Sequence, residues 1–102
     1  MRIGPQQTRT IGAVAIDEAI DLLRRHGFHE HDREQGGAVL KKPGARFSPR
    51  AHQRPLEATL TALDGEGLAL TLRYDQFVAF DTGELARNAD RLVRALRAAS
   101  ES

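Results

Sequence analysis

The stretch RPLEATLTALDGEGLALTLRYD, residues 54–75, decides the fold. Over Arg54–Leu63, Leu56, Ala58, Leu60 and Ala62 alternate with Glu57, Thr59 and Thr61. Over Leu68–Asp75, Leu68, Leu70, Leu72 and Tyr74 alternate with Ala69, Thr71 and Arg73. A period of two is that of a strand with one face buried, and Asp64-Gly65-Glu66-Gly67 between the runs signals a hairpin. Parity adds a constraint. For both leucine faces to meet one core, even residues must pair with even residues, Leu60 with Leu70. That requires a loop of three or five residues, or a bulge at a glycine, because a one-residue slip turns a strand's leucines to water.

Working outward toward the N-terminus, Ile16–His26 changes to a helical period, with Ile16, Ala19, Ile20 and Leu23 on one face and Leu22 flanking. Asp17, Glu18 and Asp21 occupy its first turns and Arg24 and Arg25 its last, which complements the helix dipole; Asp21 and Arg25 are spaced for an ion pair. Gly27 is placed to stop the helix in a left-handed conformation, with Phe28 folding back on Leu23. Phe28–Arg33 and Ala38–Lys42 read as short strands around a Gln35-Gly36-Gly37 turn, and Pro43-Gly44 opens a long loop, Pro43–Gln53. Thr8–Ala15 reads as an edge strand weakened by Gly12. Gln76–Phe80 either continues the second hairpin strand past a bulge or forms a strand of its own. Asp81 and Glu84 form a capping box for a helix from Gly83 to about Ala99, whose apolar face is Leu85, Ala89, Leu92, Val93 and Leu96.

The expected fold is therefore a single α+β domain over residues 1–102, with 1–8 flexible and 98–102 frayed. It is a two-layer sandwich: an antiparallel sheet of four to five strands flanked by an N-terminal and a C-terminal helix, in the order (β)-α-β-β-β-β-α. In topology alone that order resembles the TATA-binding-protein-like and helix-grip groups of folds, a likeness that implies no function.

Composition narrows the class. The chain has 102 residues, of which 40% are hydrophobic and 28% charged. Such a chain is neither disordered nor a membrane protein, and Met1–Thr10 has no secretory signal. Without cysteine there is no disulfide, thiol nucleophile or cysteine-bound zinc, which fits a reducing cytoplasm. Arginine outnumbers lysine 13 to 2, a usage common in GC-rich bacterial genomes. Alanine supplies 15 of the 41 hydrophobic residues, so the core is thin and a homodimer would help to stabilise it.

Three features carry candidate chemistry. The first is the stretch Lys41, Lys42, Arg46, Phe47, Arg50 and Arg54, with His52 and no acid, in a proline- and glycine-interrupted loop. Guanidinium groups suit phosphate or carboxylate recognition and Phe47 supplies a stacking or inserting ring, so this loop is the expected partner-binding site. Glu30, Asp32 and Glu34 are candidates to offset its charge. The second is Arg87, Arg91, Arg94 and Arg97 on one face of the last helix, diluted by Asp90 pairing with Arg94 or Arg87. The third is His26-Gly27-Phe28-His29-Glu30-His31-Asp32, where His29 and His31 on a strand would share a face; the plainer reading is two solvent-facing histidines, and no metal or cofactor is expected. No phosphate loop, nucleophile elbow or zinc-protease motif is present, and a nuclease built on His52, Arg46, Arg50 and Glu57 has nothing in its spacing to select it. The chain reads as a non-catalytic interaction module, dimeric, engaging a protein or other anionic partner through the basic loop. A nucleic-acid-binding module and a carrier of a small apolar ligand between sheet and helices are the alternatives.

Overall fold

A computed structural model describes residues 6–44, 55–63, 67–75 and 83–101. The elements run β1 (Gln6–Gly12), α1 (Ile16–Arg25), β2 (His29–Glu34), β3 (Gly37–Lys42), β4 (Leu56–Ala62), β5 (Leu68–Tyr74) and α2 (Glu84–Glu101). The five strands form one antiparallel sheet in the order β1-β5-β4-β3-β2. α2 packs on β1 and β5, α1 on β2 and β3, and the helices touch each other, so both lie on one face. The expected α+β sandwich is the fold observed.

The hairpin obeys the parity argument. Leu60 pairs with Leu70 and Ala62 with Leu68, leaving the five-residue connection 63–67. Even-numbered Leu40, Leu56, Ala58, Leu60, Leu68, Leu70, Leu72 and Tyr74 are buried beneath the helices, with Leu85, Ala89, Leu92, Val93 and Leu96 of α2 and Ala19, Ile20 and Leu23 of α1 against them. Periodicity of two in the strands and 3.6 in the helices places the same set.

α1 ends as its sequence directs. Gly27 sits at φ +93°. Its N–H bonds to the Arg24 carbonyl at 3.0 Å and the Phe28 N–H to the Leu23 carbonyl at 3.0 Å. These are the paired bonds of a Schellman stop. Phe28, brought back by that turn, is buried with Leu23.

Several expectations shift. β1 begins at Gln6, two residues before the expected Thr8, and ends at Gly12 (φ +95°), not Ala15. Helix α2 continues through residues 98–101. Asp21 lies 3.7 Å from Arg24 and is not paired with Arg25. The i,i+3 position falls on the same side of the helix as i,i+4, so either arginine is within its reach. Gln76–Phe80 and the Asp81 half of the capping box lie outside the described residues. Among the described residues no helix is long and apolar enough to cross a membrane.

Candidate functional site: the open face of the sheet

The face of the sheet away from the helices carries the alternate residues. In register across it stand Lys41, Glu57, Arg73 and Gln6; beside them Val39, Thr59, Thr71 and Thr8; then Gly37, Thr61, Ala69 and Thr10. The middle is small and hydroxylated. The row at one end is charged.

Glu57 dominates that row, because it is only 3% exposed although it lies on the face without helices. Arg73 answers it: Nε and Nη2 are both 2.8 Å from Glu57 Oε1. Lys41 Nζ lies 3.9 Å from Oε2 and 3.5 Å from an Asp75 carboxylate oxygen. The Asp75 N–H in turn donates to the Pro55 carbonyl at 2.8 Å, tying the end of β5 to the start of β4. A carboxylate taken out of water needs such partners, and among the described residues Arg73 and Lys41 supply them.

This arrangement divides the sequence-derived site. Lys41 is engaged by Glu57 and Asp75. Lys42 projects to the other face, its Nζ 6.0 Å from the centre of the Phe28 ring. Its chain runs beside Gly27, where a cation suits the end of α1. Arg46, Phe47, Arg50 and Arg54, with His52, lie outside the described residues. β3 and β4 pair up to Lys42 and Leu56, so thirteen residues, 43–55, connect two strands that are directly adjacent.

The acids expected to offset the loop do otherwise. Glu30 lies 3.3 Å from Arg24 Nη2 and 3.9 Å from Arg33 Nη1, and Arg33 also meets Asp17, so these side chains tie β2 to α1. Asp32 Oδ1 accepts the Arg33 N–H at 2.9 Å. Asp32 and Glu34 line an open groove of about 340 Å³ with Val39, Thr59 and Thr61. A register shift between Glu30 and Asp32 breaks the alternation that a shared His29–His31 face depended on. Among the described residues no three His, Asp or Glu side chains are grouped to hold a metal ion.

The arginine face of α2 stands elsewhere. Arg87, Arg91 and Arg94 are exposed on the helix layer, over the β1–β5 half of the sheet, whereas Lys41 opens on the opposite face from β3. Lys41 and the arginine stripe therefore lie on opposite faces of the sheet, while Lys42 projects to the helix side. Asp90 pairs with Arg9 of β1 at 2.9 Å, not with Arg94 or Arg87. Arg97 donates to the Thr10 carbonyl at 2.9 Å. No protein-family model, curated protein or solved structure matches this chain.

Arg73 and Asp75 were not singled out from sequence, and Glu57 only as a nuclease carboxylate. A signal for one contact was present: Leu60 opposite Leu70 places Glu57 opposite Arg73 in the same hairpin.

Proposed function

We propose that the chain is a small non-catalytic interaction module, acting as a dimer, that engages an acidic protein surface through the connection 43–55. The observation that carries this reading is the register Lys42↔Leu56. Adjacent antiparallel strands are commonly joined by about two to five residues. Here the chain spends thirteen, bearing Arg46, Arg50, Arg54, Phe47 and no acid. Lengthening a closed loop costs little stability, so the insert is tolerated by the fold and free to serve recognition.

Lys41 and Lys42 root this connection on the two faces of β3, and the three arginines supply the charge offered to a partner. Arginine grips carboxylates with two parallel N–H donors, and Phe47 adds a ring that a partner can bury. The carrier alternative finds less support, since Leu40, Leu60, Leu70, Leu72 and Leu85 fill the layer between sheet and helices and are 0% exposed. A chain without cysteine and rich in arginine fits a reducing bacterial cytoplasm.

Fluorescence anisotropy with a labelled oligoglutamate peptide and a labelled single-stranded oligonucleotide of equal length tests the reading across a salt series. The peptide should bind, and Arg46→Ala/Arg50→Ala/Arg54→Ala should weaken it at least about tenfold and flatten its salt dependence, while Lys41→Ala leaves affinity unchanged. Tighter binding of the oligonucleotide would establish the nucleic-acid alternative. Absence of binding to either at roughly 100 μM, the weak end of ordinary electrostatic association, refutes the reading.

A further inference from the structure

Among the described strands β1 is an edge of the sheet, and its outward backbone is already occupied by side chains of the same molecule. Thr8 stands opposite Thr71 with their Oγ1 atoms 3.1 Å apart. The Asp75 N–H donates to Pro55 O and the Leu63 N–H to Gly67 O, so odd residues of β5 turn their backbone groups to β4. Leu70 and Leu72 turn theirs to Arg9 and Gln7, and the backbone groups of Thr8 and Thr71 therefore point away from each other. By alternation, the N–H and C=O of Gln6, Thr8 and Thr10 face off the edge. Two of those carbonyls hold a guanidinium: Arg9 Nη1 donates to Thr8 O at 2.9 Å and Arg97 Nη2 to Thr10 O at 2.9 Å. Arg9 is itself held by Asp90 Oδ1 at 2.9 Å and Gln7 Oε1 at 3.1 Å.

The other edge, β2, is guarded differently. All six of its residues are exposed, four of them charged, and its register is broken between Glu30 and Asp32. Charges and bulges are the usual defences of an edge against strand addition. From Gln6 to Thr10, β1 has an unbroken register and Arg9 as its one charge. A second β1 laid antiparallel about Thr8 sets Thr8 against Thr8, Gln6 against Thr10 and Gln7 against Arg9. No like charges are opposed, and the outward N–H and C=O groups of each even pair match. The same operation on β2 about Asp32 sets Asp32 against itself and Glu30 against Glu34.

We propose that β1 is the self-association edge of this protein, that its partner is β1 of a second copy, and that Arg9 and Arg97 act as a latch on it. The proposal rests on the dimeric part of the reading above. Strand addition exchanges the guanidinium bonds on Thr8 O and Thr10 O for backbone N–H donors of the partner. Removing the latch therefore tightens the dimer, and removing an outward N–H opens it.

Sedimentation equilibrium of the full chain, without any anionic probe, tests this. Arg9→Ala/Arg97→Ala should self-associate at least tenfold more tightly than wild type. Adding Thr8→Pro should return that variant to monomer with its thermal melt largely preserved, because the lost N–H makes no bond to β5 and proline is accepted on an edge. If the double variant folds poorly, Arg97→Ala alone keeps the Arg9–Asp90 tie and should tighten association in the same direction. An unchanged dissociation constant in the latch variants overturns the proposal. A dimer that survives Thr8→Pro removes β1 as the edge while leaving the dimeric reading in place, and monomers throughout remove both.

Discussion

Replacing Arg73 with alanine should be among the most damaging single changes on the open face, and its cost follows from the burial of Glu57. The substitution removes two guanidinium nitrogens at 2.8 Å from Oε1 and leaves behind a carboxylate only 3% exposed. Breaking a fully buried ion pair by deleting one member costs about 3–5 kcal/mol, because the survivor stays desolvated. Arg73 is itself 29% exposed in its side chain, and Lys41 remains 3.9 Å from Oε2, so the loss is smaller. The expected figure is about 2–3 kcal/mol. In urea, with a slope of about 1.5 kcal/mol/M for a chain of this size, that lowers the midpoint by about 1.3–2 M. In a thermal melt it lowers Tm by about 10–20 °C. The double variant Glu57→Leu/Arg73→Met removes both charges and keeps the volume, so it should lie within about 1 kcal/mol of wild type. A loss of about 0.5 kcal/mol or less for Arg73→Ala, the range of an exposed pair, would show that Glu57 is solvated and refute the argument. So would a double variant no better than the single one.

Other outcomes are expected from the same denaturation measurements. Leu60 and Leu70 face each other across the hairpin, and both are 0% exposed. Leu60→Ala and Leu70→Ala should each cost about 2–4 kcal/mol, whereas Thr59→Ala and Thr71→Ala on the opposite face should cost less than about 1 kcal/mol. Comparable losses on the two faces would invert the assignment of the core. At Gly27 φ is +93°, and an added Cβ would lie 3.3 Å from Lys42 Cε. Gly27→Ala should therefore cost about 1–2 kcal/mol, the usual penalty for a side chain in left-handed backbone. An unchanged midpoint would remove the requirement for that conformation at the stop.

The elements readable in advance are those whose cause is local. α1 was legible because its apolar period, its terminal charges and Gly27-Phe28 all act within a few residues of one another, and the stop formed as those residues dictate. The β4–β5 register was legible for a related reason. A short connection and a strict alternation leave few pairings that bury both leucine rows, and the five-residue solution is the one observed. Glu57 opposite Arg73 follows from that register by arithmetic.

The rest depends on contacts between distant parts of the chain. Lys41 meets Glu57 only once β3 and β4 are aligned across the thirteen residues between them, and a connection of that length leaves the alignment free. Asp90 looked like a partner for arginines on its own helix, yet the packing of α2 on β1 presents it to Arg9, eighty-one residues away in sequence. Likewise Lys41 ends up on the open face beside Glu57 and Arg87, Arg91 and Arg94 on the helix layer, although all four read alike as surface cations in sequence. Local periodicity decides which side of an element is apolar. Only the packing of the layers decides which charged side chains then meet, because charges tolerate many neighbours on a surface and a buried leucine row tolerates few.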